Sequence, residues 1–243
     1  DFVVNRTFRR SFLRRTADEP GPRPSPQAVA EMAVSTTVAP SSRDVDVASD
    51  APVAFSAPGN GPSITTNHPL LKAALVELAV ARPRMLRFDE LMDRIRVRLG
   101  TRFAESTTAP DVARPQLCDA LYRGFLVDLV LLNIAPPRVA VEPGERPVAG
   151  PLARLLAPRG GRVTNIPGLS VDLDEAERLL LPLLDGSHTR DQLRAVVADR
   201  IDSGDFTISF DGRPLDDANR DQVITEMVEA GLRRFAATAL LMP

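Results

Sequence analysis

The sequence is poor in several of the residue types that most often carry chemistry. Its 243 residues include no tryptophan, two histidines and one cysteine, Cys118, and only 5% of them are aromatic. A single cysteine excludes an intramolecular disulfide framework and fits a reducing compartment, so we expect a cytoplasmic protein. Scarce aromatic residues leave few stacking platforms for bases or sugars. No apolar run reaches the roughly 18 to 20 residues of a membrane span, which predicts a protein that does not enter a membrane.

The motifs that usually mark catalytic and cofactor sites are also missing. No GxGxxG or Walker pattern occurs, which predicts no nucleotide-type cofactor site in this chain. His68 and His188 each lack a second ligand at metal spacing, and Cys118 lies in an apolar helical segment typical of a core. Carboxylates at 172–177 and 216–221 coincide with predicted helix starts, where exposed N–H groups favour acids. We therefore predict that the chain is not an enzyme by itself.

Charge is distributed unevenly along the chain. The formal net charge is −2, so no global basic field favours nucleic acid. Residues 171–243 hold 15 acidic and 8 basic residues, whereas residues 1–15 hold five arginines against one acid. We interpret this basic opening as a candidate docking element for an acidic partner or for the acidic C-terminal part. Solvated surface or internal ion pairing are the alternatives. The candidate docking residues are Arg6, Arg9, Arg10, Arg14 and Arg15.

Composition suggests where the chain divides. It begins without methionine inside an amphipathic segment, so we expect it to continue a longer protein. Residues 17–62 are rich in Pro, Ser, Gly and Thr, which is typical of an extended linker. Within them Ser49–Phe55 predicts a short edge strand, because Pro52 removes a backbone donor. The predicted division is an N-terminal segment at 1–62, a middle domain at 63–146 and a C-terminal domain at 147–243.

The middle domain is predicted to contain three helices. Asn67 is a good N-cap for a helix that reaches about Arg82. Apolar residues at helical spacing predict a second helix over Phe88–Leu99. A third, over Gln116–Leu132, is apolar on most sides and should be the buried central helix. Arg138–Glu142 then alternates like a strand, and three helices followed by a strand are typical of a winged-helix module.

The C-terminal domain repeats this organisation on a smaller scale. Capping boxes and alternating apolar residues mark its elements. The sequence thus predicts a mainly α (α+β) protein with two winged-helix-like helical modules, preceded by an extended N-terminal segment. The predicted elements are strands at Arg162–Ile166 and Leu169–Val171, a helix capped by Asp172 and Glu175, a helix capped by Thr189 and Gln192, a strand at Phe206–Phe210, and a helix from about Asp217 to Leu240.

A winged-helix fold makes a DNA-binding transcriptional regulator the alternative function. In such folds the third helix enters the major groove with basic or polar residues outward. Here that helix would carry Asp119 and Asp128 beside Arg123, and the final helix is acidic before Arg233–Arg234. Neither helix suits a phosphate backbone, so we predict no nucleic-acid partner.

Several segments, taken in chain order, resemble one family. Asn5–Leu13 is similar to the opening of the regulatory region that follows the catalytic domain in certain bacterial class I methyltransferases, with Phe12-Leu13 where the family has two leucines. Ser49–Phe55 and Thr65–Leu75 resemble the next landmarks of that region. Val163–Asn165 and Leu181–Gly186, followed by Thr189-Arg190, resemble the family's C-terminal winged-helix domain.

The resemblance implies the accessory part of an S-adenosylmethionine-dependent methyltransferase, similar to the protein lysine methyltransferases. In that family an N-terminal Rossmann-like domain performs the chemistry, and the helical C-terminal domains help to bind the protein substrate. We expect this chain to be a non-catalytic regulatory or substrate-recognition region without its own cofactor. Its partners would be the catalytic domain, in cis or in trans, and a protein substrate.

Overall fold

The fold is that of a computed structural model, which describes residues 25–42, 44–59, 61–103, 110–206, 209–210, 213–214 and 219–243. Helices and short strands alternate along it, and the strands form small sheets. The predicted α+β class with winged-helix organisation is therefore confirmed. Two separate clusters of buried apolar residues define an N-terminal module, with core residues from Val29 to Val130, and a C-terminal module, with core residues from Ala149 to Leu241.

The N-terminal module begins earlier in the chain than the sequence predicted. A 3-10 helix at Pro26–Glu31 precedes the first strand and packs against the third α-helix. The elements that follow are β1 (Ala33–Thr36), β2 (Ala39–Pro40), β3 (Val53–Ser56), β4 (Ser63–Thr66), α1 (Pro69–Ala81), β5 (Leu86–Arg87), α2 (Phe88–Leu99), α3 (Pro110–Leu126) and β6 (Val130–Asn133).

Strand β1 is the centre of an antiparallel sheet of order β5–β1–β6. All four of its residues are buried, and Thr36 Oγ1 donates a hydrogen bond to the Leu129 carbonyl at 2.8 Å. The linker interpretation of 17–62 was wrong for this stretch, because β1 pairs with β6 almost a hundred residues later. The proposed boundary at 62/63 thus cuts through one hydrophobic core, while that at 146/147 falls between the two cores.

A second sheet, of order β2–β3–β4, covers the other end of α1. The predicted strand near Ser49–Phe55 is present as β3, but it is the central strand, so its prediction as an edge strand was wrong. Pro52 lies just before β3 and so removes no hydrogen bond from the ladder. Phe55 on β3 is fully buried in the core of the module.

Lys72 on α1, the only lysine in the chain, is completely buried. Its ammonium donates to three backbone carbonyls in the loop before β3, those of Asp46 at 3.3 Å, Ser49 and Ala51 at 3.1 Å. An ammonium has three donors, and all three find acceptors, which offsets much of the cost of its desolvation. Lys72 therefore attaches an irregular loop to the helix beneath it.

Two of the three predicted helices of this module are confirmed. α1 and α2 end close to the predicted residues, although α1 is capped by His68 rather than Asn67. The third is present as α3 but with other bounds: it begins at Pro110 rather than Gln116 and stops at Leu126. The predicted end near Leu132 was wrong because 130–133 form β6. Asp128 adopts a positive φ of 60° and lets the chain reverse, and the Leu129 amide then donates to the Gly124 carbonyl at 2.9 Å. A Cβ at Gly124 would lie 2.9 Å from Val130, so glycine permits this close return.

The C-terminal module consists of short elements around one long helix. Two 3-10 turns, Ala157–Arg159 and Leu181–Leu183, extend the ends of short helices. Its elements are β7 (Val148–Ala149), α4 (Pro151–Leu156), β8 (Arg162–Thr164), β9 (Ser170–Asp172), α5 (Glu175–Leu180), α6 (Arg190–Asp202), β10 (Ser209–Phe210), β11 (Arg213–Pro214), α7 (Arg220–Ala237) and β12 (Leu241–Met242).

Helix α7 supplies the centre of the second core with Ile224, Val228, Leu232 and Phe235. It ends at Ala237, three residues before the predicted Leu240, because Ala239 takes a positive φ of 57°. The chain then turns back so that β12 pairs with β7, the first strand of the module. The last strand therefore joins the end of the module to its beginning.

The capping boxes predicted the helices of this module, although not every predicted residue or strand is confirmed. The Thr189–Gln192 capping box of α6 is confirmed, but that of α5 is formed by Asp174 and Glu177 rather than Asp172 and Glu175. The strand predicted at Arg138–Glu142 is absent, and this stretch is an irregular connector between the modules. A single hydrogen bond, from the Ala140 amide to the Leu241 carbonyl at 3.0 Å, attaches it to β12.

Candidate functional site

The predicted docking arginines Arg6, Arg9, Arg10, Arg14 and Arg15 lie outside the described residues. Their role in docking remains a prediction. The other candidate sites are polar clusters and surface depressions formed by the described residues.

One exposed cluster brings together a serine, a histidine and an aspartate. Ser187 Oγ lies 2.8 Å from His188 Nδ1 and also bonds to the Asp185 carboxylate. In a nucleophilic triad the histidine stands between serine and aspartate, whereas here the serine stands between the other two. The hydroxyl and the amide of Ser187 both donate to Asp185 and hold the pKa of that carboxyl below its usual range. This cluster closes the turn at Gly186 and does not activate a nucleophile.

The other candidate ligands of the sequence also occupy structural positions. His68 is exposed at the start of α1. Cys118 is buried on α3, and burial raises the pKa of its thiol, although the charge of Arg114 partly opposes this. Among the described residues, no three His, Cys, Asp or Glu side chains lie close enough to hold a metal ion. No helix in the described ranges is both long and apolar enough to cross a membrane.

The acidic cluster at 172–177 is used for capping and ion pairing. Glu177 is 3% exposed, accepts the Asp174 amide at 3.0 Å and forms an ion pair with Arg234 of α7. Asp172 bonds to Arg162 across the β8–β9 hairpin at 2.7 Å, which holds the pKa of its carboxyl below the usual range. These contacts join the hairpin, α5 and α7.

A second, partly buried ionic contact joins the connector to the C-terminal module. Glu229 of α7 accepts Arg190 at 3.1 Å and Arg194 at 3.2 Å. Arg190 also donates to the carbonyls of Gly144, at 3.1 Å, and Pro143. The Arg190 that belongs to the resemblance thus has a structural role, since it fixes the end of the connector against α6 and α7.

Between the modules lies a depression of about 630 Å³, which we call the inter-module cleft. It is bordered by the start of α2 on one side and by the irregular connector on the other. Its lining residues are Arg84, Met85, Arg87, Glu90, Ala135, Pro136, Pro137, Arg138, Val139 and Pro243. Three arginines against one glutamate make its side chains basic, and the methionine, valine and prolines add apolar lining.

The arginines of the cleft differ in the ion pairs and hydrogen bonds that they make. Arg84 pairs with Glu90 at 3.2 Å, and Arg87 donates to the Ile134 carbonyl at 3.2 Å. Glu90 is also bound by Arg94 at 2.8 Å, so its charge is already matched. Arg138 is exposed and makes no ion pair or hydrogen bond with any described residue. The positive charge of the cleft is therefore not balanced from within the described part of the chain.

An apolar groove of about 510 Å³ lies next to the cleft, between the 3-10 helix, α3 and β6. Phe125 and Ile134 line it and are 43% and 74% exposed. Exposed apolar residues grouped in this way commonly mark contact surfaces. The complete lining is Ser25, Ala28, Val29, Met32, Tyr122, Phe125, Leu132, Asn133 and Ile134.

Sequence reasoning missed both depressions. Each is built from segments that are far apart in the chain, and β6 had been assigned to the third helix. The one available signal was Pro136-Pro137, which indicates an irregular stretch but not which surfaces it borders.

Comparisons with known proteins agree with the resemblance noted in the sequence. Residues 145–240 match the family model of the PKMT C-terminal winged helix domain. Two solved structures of PKMT2 from Rickettsia typhi, one of them in complex with AdoHcy, have a similar fold, with a TM-score of 0.70 and 18% identity. The similarity covers 88% of this chain but only 43% and 44% of those chains, so this chain spans less than half of their length. A search of curated proteins found no match.

Proposed function

We propose that this chain is a non-catalytic regulatory and substrate-recognition region of an S-adenosylmethionine-dependent protein lysine methyltransferase. The observation that carries the proposal is a fold similarity to PKMT2 that extends over nearly the whole chain, together with the winged-helix match at 145–240. The chain would act beside a catalytic domain that binds the cofactor, in the same polypeptide or as a separate subunit.

The roles of the polar side chains support an accessory function. Asp185, Glu177 and Glu229 are each engaged in turns, caps or ion pairs that stabilise the C-terminal module. The exposed apolar surface around Phe125 and Ile134 is of the kind that contacts another protein or domain. A chain whose polar clusters support its fold, and which exposes a group of apolar residues beyond its two cores, is suited to assembly.

In this proposal the basic opening is the docking element. Arg6, Arg9, Arg10, Arg14 and Arg15 would contact an acidic surface of the catalytic domain or of the protein substrate. Reversing the charge of Arg9 and Arg10 in the complete methyltransferase should reduce assembly or turnover of the protein substrate. Unchanged activity and domain association would remove the docking role and favour internal pairing of these arginines.

Isothermal calorimetry with S-adenosylmethionine tests the proposal. This chain should give no binding heat, whereas the protein encoded by the complete reading frame should bind the cofactor. Binding by this chain alone would contradict the proposal, because the chain would then contain a cofactor site. If neither protein binds, salt-sensitive binding to duplex DNA would favour the alternative of a DNA-binding regulator.

A further inference from the structure

We propose that the inter-module cleft binds an acidic, extended peptide segment of a partner protein. The proposal rests on the cleft itself and not on the chain acting beside a methyltransferase domain, so the two can fail independently.

The charge of the cleft selects for carboxylates. Arg84, Arg87 and Arg138 border it, and the only acid in its lining, Glu90, is already shared between Arg84 and Arg94. A guanidinium offers five donors in a planar fork that matches a carboxylate. The single bond from Arg87 to a carbonyl leaves most of its donors available, and Arg138 uses none within the described residues. Two guanidinium groups that line the cleft therefore have N–H donors available for carboxylate oxygens.

The uncharged part of the lining favours a peptide over a nucleic acid. Met85, Pro136, Pro137 and Val139 add apolar side chains to the arginines of the cleft. None of the lining residues, all of which are described, is aromatic, so a base would find no ring on which to stack. An extended peptide with acidic and aliphatic or proline side chains can place its carboxylates against the arginines and its apolar groups against the apolar lining. The connector at 135–139 has no strand partner, so its shape is fixed mainly by its prolines and by its attachment to β12.

The position of the cleft gives this binding a structural consequence. One wall belongs to the N-terminal module, and the other is the connector that leads into the C-terminal module. A bound peptide would contact both and would fix their relative placement.

Fluorescence anisotropy at low ionic strength tests the inference with the full chain. The probe is a short fluorescein-labelled peptide of alternating glutamate, proline and leucine, and its reference is the same peptide with glutamine for glutamate. We expect the acidic probe to bind and the glutamine version to bind at least about tenfold more weakly, since the charged contacts would be lost. Failure of the acidic probe to bind, or equal binding of both peptides, would overturn the inference.

Matched charge reversals locate the site. Arg138→Glu should weaken binding of the acidic probe about tenfold, and Arg87→Glu should act in the same direction. The control is Arg159→Glu, at the end of a 3-10 turn in the C-terminal module. Arg159 is also exposed and makes no ion pair or hydrogen bond with any residue that the structure describes. Equal weakening by Arg159→Glu would mean general electrostatic attraction and would overturn the site.

Tighter binding of labelled DNA than of the acidic peptide, lost in Arg138→Glu, would overturn the assignment to a peptide. Circular dichroism should be unchanged in all three variants, and Arg138→Gln supplies a milder substitution at the same position.

Discussion

The two modules differ in the kind of polar contact that stabilises them. In the N-terminal module, β1 pairs with β6 and Lys72 binds a loop more than twenty residues before it. In the C-terminal module, α5 and α6 begin with capping boxes whose partners are three residues apart. Both modules also have long-range strand pairing, β1 with β6 in the first and β7 with β12 in the second. They differ in that the first buries a charged side chain against a distant loop, whereas the second adds local caps and ion pairs between its helices.

The largest expected effect on the stability of one module is that of replacing Lys72. Lys72→Met keeps the aliphatic stem but removes the donors to Asp46, Ser49 and Ala51, leaving three carbonyls without their partner. We expect the free energy of unfolding of the N-terminal module to fall by about 3 kcal/mol. Hydrogen exchange followed by mass spectrometry should show loss of protection in α1 and the 46–51 loop.

The C-terminal module serves as the internal reference for this measurement. Its exchange rates should stay close to those of the wild type in Lys72→Met, because its core is a separate cluster. Equal loss of protection in both modules would show that they unfold as one unit and would contradict the comparison.

The distance along the chain between contacting residues explains which elements could be predicted from the sequence. The α6 capping box and the helix over Phe88–Leu99 depend on residues within one or two turns, and both were read correctly. The pairing of β1 depends on Val130–Asn133, which in isolation continues an apolar helical pattern. Because β1 is buried on both faces, it shows no alternation, and its proline-rich surroundings resemble a linker. The inter-module cleft was missed for a similar reason, because its lining comes from segments that are far apart in the sequence.

A smaller effect is expected for the main ionic contact of the C-terminal module. Glu177→Gln retains an oxygen for the Asp174 amide but loses the charge that binds Arg234. The Glu177 side chain is only 4% exposed, whereas that of Arg234 is 46% exposed, so solvent partly screens the pair. We expect a loss of about 1 to 2 kcal/mol in the free energy of unfolding, measured by chemical denaturation.

Asp191→Asn is the matched control for Glu177→Gln. Asp191 also pairs with an arginine, Arg194 at 2.6 Å, but its side chain is 82% exposed. Its replacement should change stability by less than about 0.5 kcal/mol. If the two variants are equally stable, burial of Glu177 does not strengthen its ion pair.

The smallest expected effect is a difference in pH dependence between the modules. Burial raises the pKa of Cys118 in the N-terminal module, so folding favours the neutral thiol. Its contribution to stability should be complete below the ordinary thiol pKa of 9.0 and be lost as the pH rises through the folded value. In the C-terminal module the bond from Arg162 lowers the pKa of Asp172, so its contribution is present above the ordinary value of 3.8 and is lost as the pH falls.

Denaturation from pH 8 to pH 10.5 isolates the thiol. The free energy of unfolding of the wild type should decline with a slope of at most about 1.4 kcal/mol per pH unit from this one group. Cys118→Ala should start from a lower stability, because it leaves a small cavity on α3, but should decline less steeply. The two proteins share all their other ionisable groups, so the effects of those groups cancel in the difference between the slopes. Parallel slopes would mean that the fold does not favour the neutral thiol, and that Cys118 is not what makes the N-terminal module sensitive to alkali.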